Sequence, residues 1–141
     1  MFLLPLVPIG VAAISRMVAI RGTAWTCIYM DDAADAGQWA AAHAGEFGAD
    51  ASRLYLMGHS AGAHLAALVA LDLRYFSRAG RPAPAIAGVI GLSGPYDFLP
   101  LREADVQDMF GPPQDYPDSQ PINFVRAGAP PMLLVHGLPP P

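Results

Sequence analysis

A serine between two glycines, at the junction of two apolar segments, constrains the fold of this chain most. The sequence Gly-His-Ser-Ala-Gly at residues 58–62 follows a short apolar run, residues 54–57. It leads into residues 61–73, a nearly uninterrupted run of good helix formers that is apolar on most sides. We predict a strand over the first run, a buried helix over the second and a tight turn centred on Ser60.

Such a turn holds a serine in a strained backbone conformation, with its hydroxyl standing clear of the sheet. We predict that Gly58 and Gly62 allow the strand and helix backbones to approach, while the side chain of His59 diverges from the hydroxyl. The first helical turn has unpaired amides, so we expect that the Ala61 amide can point at an oxygen that becomes negative during acyl transfer. Ser60 is therefore the predicted nucleophile; the alternative is a glycine-rich turn in which Ser60 only caps the helix.

The flanking segments predict an α/β fold with a parallel sheet. A helix is predicted over residues 31–46, where small or apolar residues recur at steps of three and four, and Gly48 is its predicted left-handed stop. Strands are predicted over residues 86–92 and 131–136. A strand, a helix and another strand in succession imply parallel pairing with a right-handed crossover.

A long excursion separates the last two predicted strands. Residues 93–130 are rich in proline, glycine and aspartate, and at most one short helix is predicted there, near residues 101–109. A stretch of this length inside a compact domain is typical of a functional loop or lid. The alternative is a solvent-facing insert without a role.

Composition narrows the class of protein. The 141 residues are 53% apolar and 14% charged, which predicts one compact domain with a buried core. Eight arginines, no lysine and twelve acids give a net charge of -4 without a basic cluster, so no nucleic-acid partner is expected. Cys27 is the only cysteine, which excludes an intramolecular disulfide and a cysteine-based zinc site. We predict neither a metal nor a cofactor.

The start of the chain predicts no membrane span. Residues 1–15 are uncharged but contain two prolines, and the run is shorter than the ~20 apolar residues that a spanning helix needs. Arg16 and Arg21 follow this run, whereas a secretory signal places its positive charge before the apolar stretch. We expect a cytoplasmic protein, with export left open.

Three stretches together resemble one superfamily. They are Leu-Met-Gly-His-Ser-Ala-Gly-Ala-His-Leu-Ala at residues 56–66, Gly-Leu-Ser-Gly-Pro-Tyr-Asp-Phe at residues 91–98 and Ala-Pro-Pro-Met-Leu-Leu-Val-His-Gly at residues 129–137. Over residues 31–137 the chain resembles the α/β-hydrolases, and among them the esterase/lipase and arylformamidase-like carboxylesterases. The resemblance implies Ser60 as nucleophile, the Ala61 amide as oxyanion donor, residues 96–110 as a wall of the substrate pocket, and a small-molecule ester as substrate.

The chain departs from the family pattern at both ends. The family places an acid a few residues after the His-Gly pair, but here His136-Gly137 is followed by Leu138 and a proline-rich tail, residues 138–141. Residues 1–30 are atypical, lack the family's His-Gly-Gly loop and predict one strand over residues 23–29. We therefore expect a partial α/β-hydrolase fold without the early strands and without the final strand and helix, either a fragment or a misread gene.

No complete catalytic triad is predicted from the remaining polar residues. His64 lies one helical turn beyond Ser60, where we expect a packing or hydrogen-bonding role, and His43 is expected at the surface. His136 is expected to be structural or near the site, and Asp97 is expected to anchor a turn or loop.

The predicted function is hydrolysis of carboxylic esters through an acyl-enzyme on Ser60, impaired in this chain because the triad acid and histidine are absent. The alternatives are a non-catalytic truncated remnant or binding module, and an aryl formamidase that uses the same machinery. The sequence predicts no oligomeric state.

Overall fold

The computed structural model describes residues 25–78 and 82–137. Most of the atypical segment predicted over residues 1–30, and the tail predicted over residues 138–141, lie outside these ranges. The described helices and strands are α1 (Trp25–His43), β1 (Leu54–His59), α2 (Ala61–Leu71), α3 (Arg74–Arg78), β2 (Ile86–Leu92), α4 (Ala104–Phe110) and β3 (Met132–Val135). Short 3-10 turns cover Ala44–Phe47, Ala51–Arg53, Pro113–Ser119 and Pro121–Phe124.

The three described strands form one parallel sheet in the order β1-β2-β3. His59 at the end of β1 lies opposite Leu92 at the end of β2, and Leu92 lies opposite Val135 at the end of β3. The carboxyl ends of all three strands therefore meet at one edge of the sheet. This confirms the predicted parallel α/β architecture.

Helix α2 forms the centre of the core. Seven of its eleven residues are buried, because β1 and β2 cover one side of the helix and α1 packs against another. The largest buried cluster joins α1, α2 and α3 through Met30, Ala34, Leu68, Val69, Tyr75 and Phe76. Burial of each large apolar side chain stabilises the folded state by about 1.5–3 kcal/mol. Because most of α2 is buried, apolar residues occupy nearly all of its surface and the helix lacks a polar face.

Helix α1 begins earlier than the sequence predicted. The prediction placed its start at residue 31, but the helix begins at Trp25, so the strand predicted over residues 23–29 is wrong where the structure describes it. Met30 and Ala34 are buried one helical turn apart, so the buried stripe of α1 begins before residue 31. The helix ends at His43, and after a 3-10 turn Gly48 adopts φ 66° and ψ 22°, which confirms the left-handed stop.

Other boundaries differ by a few residues. Strand β1 continues through His59, β3 is shorter than predicted, and β2 has the predicted limits. Helix α2 ends at Leu71 rather than at residue 73, because the buried Asp72 carboxylate accepts hydrogen bonds from the Arg74 amide at 3.0 Å and from its guanidinium at 2.8–3.0 Å. These bonds close the turn between α2 and α3.

The excursion between β2 and β3 is more ordered than the sequence predicted. It contains α4 and two 3-10 turns, and it is fixed by Gln120, whose side chain is buried. The Gln120 side-chain oxygen accepts a hydrogen bond from the Phe98 amide at 2.8 Å, and its Nε2 donates to Ser119 Oγ at 2.7 Å. Ser119 Oγ donates in turn to the carbonyl of Tyr116 at 2.7 Å. These bonds order the excursion internally. Its Ser119 carbonyl also accepts a hydrogen bond from His64 of α2, and the turn Pro121–Phe124 contacts α2, so the excursion packs on the domain and is not a free insert.

Among the described helices, none combines the length and the hydropathy that a bilayer crossing requires.

Candidate active site

Ser60 occupies the junction of β1 and α2, as predicted. Its backbone adopts φ 55° and ψ -121°, and the residue is exposed. A positive φ at a residue with a Cβ costs about 1–3 kcal/mol and is found mainly where function requires it. Its hydroxyl makes no capping bond to α2 and no hydrogen bond with any described residue. Ser60 therefore occupies the N-cap position of α2, but its side chain does not cap the helix, and its hydroxyl has no partner among the described residues.

The two glycines of the turn have different surroundings. A Cβ added to Gly58 would overlap the carbonyl group of Gly62, so the approach of strand and helix requires glycine at position 58. A Cβ added to Gly62 would meet no described atom within 4 Å. The prediction of a close approach is confirmed for Gly58 and wrong for Gly62, because only position 58 faces the helix backbone.

Helix α2 begins beside the Ser60 hydroxyl. The amides of Ala63 and His64 donate to the Ser60 carbonyl at 3.0 and 3.2 Å, whereas the Ala61 amide has no acceptor among the described residues. An unpaired amide at the first position of a helix, reinforced by the positive end of the helix dipole, binds a developing oxyanion. The role of Ala61 as an oxyanion donor stays a prediction.

His64 holds the excursion rather than the nucleophile. Its ring is buried, and Nε2 donates to the Ser119 carbonyl at 2.7 Å, so this nitrogen carries the hydrogen. The rings of Phe98 and Phe110 lie edge-on to the imidazole, with centroids at 5.4 and 6.1 Å. Burial lowers the pKa of His64, and the bond to Ser119 opposes this effect. The expected packing and hydrogen-bonding role is confirmed.

The other three histidines do not bond Ser60 either. His43 Nδ1 donates to the Trp39 carbonyl at 2.8 Å and its ring stacks on that indole. His136 Nε2 donates to the Gly94 carbonyl at 3.0 Å, and His59 is exposed beside the turn. None of the four histidines in the chain is thus hydrogen-bonded to the Ser60 hydroxyl.

Asp97 does not act as the predicted anchor. It is exposed, and its carboxylate makes no hydrogen bond or ion pair with the described part of the chain. The loop is fixed instead by Gln120 at the Phe98 amide and by the Ile122 amide, which donates to the Tyr96 carbonyl at 3.1 Å. Both contacts come from the far end of the excursion, which the sequence pattern did not reveal.

Ser93 is a second serine at this edge that the sequence analysis did not single out. It follows the last residue of β2 and adopts φ 51°. Its amide donates to the Val135 carbonyl at 2.7 Å, while the Ser60 amide donates to the Leu92 carbonyl at 2.8 Å. The motif quoted above contains Ser93, but a serine carries no sequence signal for a positive φ.

Comparison with known proteins decides the family. A family model described as BD-FAE matches residues 11–139. The chain belongs to the BD-FAE family. This membership confirms the predicted α/β-hydrolase of the esterase type.

Three relatives carry hydrolase names. The probable carboxylic ester hydrolase LipM of Mycobacterium tuberculosis is 32% identical over 115 residues, which is 70% of this chain and 27% of LipM. Esterase LipC of the same organism is 29% identical over 159 residues, or 91% of this chain and 39% of LipC. The kynurenine formamidase of Salmo salar is 45% identical over 58 residues, 40% of this chain and 18% of that protein. The chain thus spans well under half the length of each relative.

Solved structures of Thermogutta terrifontis esterase 2 share the fold. The form phosphoramylated by tabun has a TM-score of 0.61 and 24% identity, and the match covers 80% of this chain and 42% of that one. The apo form has a TM-score of 0.60 and 25% identity, with 81% and 43% covered. The BD-FAE chain described here therefore has the architecture of an α/β-hydrolase esterase.

Proposed function

We propose that this chain hydrolyses small-molecule carboxylic esters through an acyl-enzyme on Ser60. The observation that carries the proposal is the positive φ of Ser60 at the junction of β1 and α2, with a hydroxyl that has no described partner. This conformation presents the oxygen at the carboxyl edge of the sheet, next to the Ala61 amide. The esterase names of LipM and LipC support the same reaction class.

The reaction needs two displacements at the ester carbonyl. Ser60 Oγ bonds to the carbonyl carbon and loses its proton to a base, while the carbonyl oxygen becomes negative and accepts a hydrogen bond from the Ala61 amide. The bond to the alcohol oxygen then breaks, and the departing oxygen takes a proton. Water adds to the acyl carbon, loses a proton to the base and releases the acid, which restores the Ser60 hydroxyl.

No histidine of the chain is placed as a base for the proposed nucleophile. Each of His43, His64 and His136 donates a hydrogen bond to a backbone carbonyl, and His59 has no bond to Ser60. In serine hydrolases, loss of triad members lowers turnover on the order of a millionfold and leaves roughly 10³–10⁴ over water. We propose that residues 1–141 on their own turn over esters at this residual level.

Chemical rescue with imidazole tests the proposal. The chain is incubated with a fluorophosphonate, with and without added imidazole, and the modified residue is located by mass spectrometry. Thermogutta terrifontis esterase 2 is phosphorylated by paraoxon, so organophosphorus reagents are suitable probes for this fold. We expect an adduct on Ser60 that forms faster with imidazole, because the free base replaces the missing one.

Two variants control this experiment. Ser60→Ala removes the nucleophile, and Ser77→Ala removes an exposed hydroxyl of α3 that only donates to the Leu73 carbonyl. Labelling should disappear in the first variant and persist in the second. Absence of an adduct with imidazole present, or an adduct on a residue other than Ser60, would reject the proposal.

An aryl formamidase is a second candidate. The 45% identity to the kynurenine formamidase of Salmo salar, over 58 residues, favours it, although the match covers 40% of this chain. The same attack by Ser60 would break a carbon–nitrogen bond and release an aryl amine. Hydrolysis of a formanilide is compared with that of the matching phenyl formate, both corrected for the Ser60→Ala background. We expect faster ester hydrolysis; a faster formamide reaction would make the formamidase the better assignment.

A cytoplasmic location of the protein stays a prediction.

A further inference from the structure

Ser93 repeats the backbone features of Ser60 one strand away. Among the described residues other than glycine, these two alone have a positive φ, at 51° and 55°. Each serine follows the last residue of its strand, and each donates its amide to the terminal carbonyl of the neighbouring strand. The proposed nucleophile Ser60 and a second strained serine, Ser93, therefore lie at the same edge of the sheet, at the ends of adjacent strands.

The register of the sheet sets their separation. His59 pairs with Leu92, and the Ser60 amide donates to the Leu92 carbonyl. Ser60 and Ser93 therefore follow the ends of two adjacent strands, which lie about 4.8 Å apart. The turn after Ser93 is pressed against α2, because a Cβ added to Gly94 would lie 2.6 Å from the Ala63 Cβ. The backbone at Ser93 is thus fixed relative to the start of α2 and to Ser60.

The hydroxyl of Ser93 has no structural task in the described residues. Ser93 is exposed, and its side chain makes no hydrogen bond with them. The amide bond to Val135 belongs to the backbone and would exist with glycine at this position. Glycine would adopt the same φ without strain, so the fold alone does not explain a serine here. Strain of this kind concentrates where a ligand is bound.

We propose that Ser93 is a substrate-binding residue whose hydroxyl hydrogen-bonds the acyl group carried by Ser60. This inference rests on the proposed function. The alcohol leaves in the first displacement, whereas the acyl group takes part in both displacements and is bound to Ser60 between them, so it is the part of the ester that stays near β2. The class of substrate so selected is an ester whose acyl chain holds a hydrogen-bond acceptor about 5 Å from the scissile carbonyl carbon, one strand spacing away.

A pair of isosteric esters tests this selection. The probes are the para-nitrophenyl esters of hexanoic acid and of γ-methoxybutyric acid, in which an ether oxygen replaces one methylene. Rates are measured with imidazole present and corrected for the Ser60→Ala background. The quantity compared between variants is the ratio of the ether ester rate to the hexanoate rate, which cancels general effects on Ser60.

Ser93→Gly separates the hydroxyl from the backbone. It keeps the positive φ without strain, so we expect an unchanged or higher melting temperature together with a roughly threefold to tenfold fall in the rate ratio, as for one lost neutral hydrogen bond. Ser93→Ala should lower the ratio equally, and because alanine keeps the strain its melting temperature should not rise above that of the wild type. Ser77→Ala, the exposed serine control, should leave the ratio unchanged.

The outcomes distinguish the two proposals. An unchanged ratio in Ser93→Gly, with Ser60 still reactive, overturns the role of Ser93 and leaves the proposed function intact. A lower melting temperature with equal loss on both esters shows a structural serine and also overturns it. If the wild-type chain shows no Ser60-dependent hydrolysis or labelling, both proposals are wrong.

Discussion

His64 Nε2 donates a hydrogen bond of 2.7 Å to the carbonyl oxygen of Ser119, a residue 55 positions further along the chain. The backbone amide of His64 donates to the Ser60 carbonyl at 3.2 Å. One residue of α2 therefore contacts both the turn that holds the proposed nucleophile and the excursion, which packs against this helix. The hydrogen bond from this side chain is thus one of the contacts that fix the excursion relative to Ser60.

The first prediction concerns the donor at position 64. His64→Leu leaves the buried Ser119 carbonyl without a donor, and we expect a loss of about 1–3 kcal/mol in the free energy of unfolding. His64→Gln keeps an amide that donates to the same oxygen, so its loss should be smaller. Urea denaturation of both variants measures the difference. Equal losses would show that packing against Phe98 and Phe110, rather than the hydrogen bond, determines the effect.

The second prediction is a loss of stability in mild acid. Burial lowers the pKa of His64 below its ordinary value of 6.5, and the bond to Ser119 only partly opposes this. The unfolded chain then takes up a proton at a higher pH than the folded chain. The contribution of neutral His64 to stability is complete above about pH 6.5 and is lost as the pH falls from there through the folded pKa. Over this range the free energy of unfolding falls by at most ~1.4 kcal/mol per pH unit.

Urea denaturation between about pH 7.5 and about pH 5 measures this slope, since histidine titrates in that range. His64→Gln removes the titrating group and should flatten this part of the profile. A profile that is identical in wild type and variant would assign the pH dependence to other groups.

The third prediction separates the two glycines of the turn. Gly58→Ala forces a Cβ into the carbonyl of Gly62, and we expect a cost of about 1–3 kcal/mol from overpacking. Gly62→Ala meets no described atom and lies in the first turn of α2, where alanine favours the helix by up to about 1 kcal/mol. Thermal denaturation of the two variants should give shifts of opposite sign. A large loss in Gly62→Ala would contradict the open space at that position.

The fourth prediction concerns the ion pairs at the end of α2. Arg74→Ala leaves the Asp72 carboxylate, which is 3% exposed, without its guanidinium partner, and it removes the cation above the Phe124 ring at 4.8 Å. We expect a loss of about 1–3 kcal/mol in unfolding free energy, as for a charged hydrogen bond at a buried group. Asp118→Ala removes an exposed partner at 3.2 Å and should change stability by less than about 1 kcal/mol. Similar losses in the two variants would contradict the dominant role of Asp72.

Local patterns in the sequence were sufficient to predict the turn at Ser60 and the strands of the sheet. The apolar runs around Ser60 and at Ile86–Leu92 predicted the strands, and the long alanine- and leucine-rich run predicted a buried α2. The start of α1 was missed because a short apolar run such as residues 25–30 does not distinguish a strand from a helix. Burial of Met30 in the helical core decides in favour of the helix.

The contacts that order the excursion could not be predicted from local patterns. The bond between Gln120 and the Phe98 amide spans 22 residues, and the bond between His64 and Ser119 spans 55. Each depends on the folded sheet, which brings the segments together. The strained backbone at Ser93 was missed for a similar reason, since its φ follows from pairing with Val135 and packing of Gly94 on α2.

The hydrogen bond from the Ser60 amide to the Leu92 carbonyl extends the backbone pairing of β1 and β2 by one residue beyond the end of β1. The position of the proposed nucleophile thus depends on the sheet, while α2 supplies the Ala61 amide, the proposed hydrogen-bond donor to the oxyanion. Substitutions that loosen α2 from α1 should weaken the domain and leave Ser60 in place, whereas a shift in the pairing of β1 with β2 would displace the Ser60 hydroxyl.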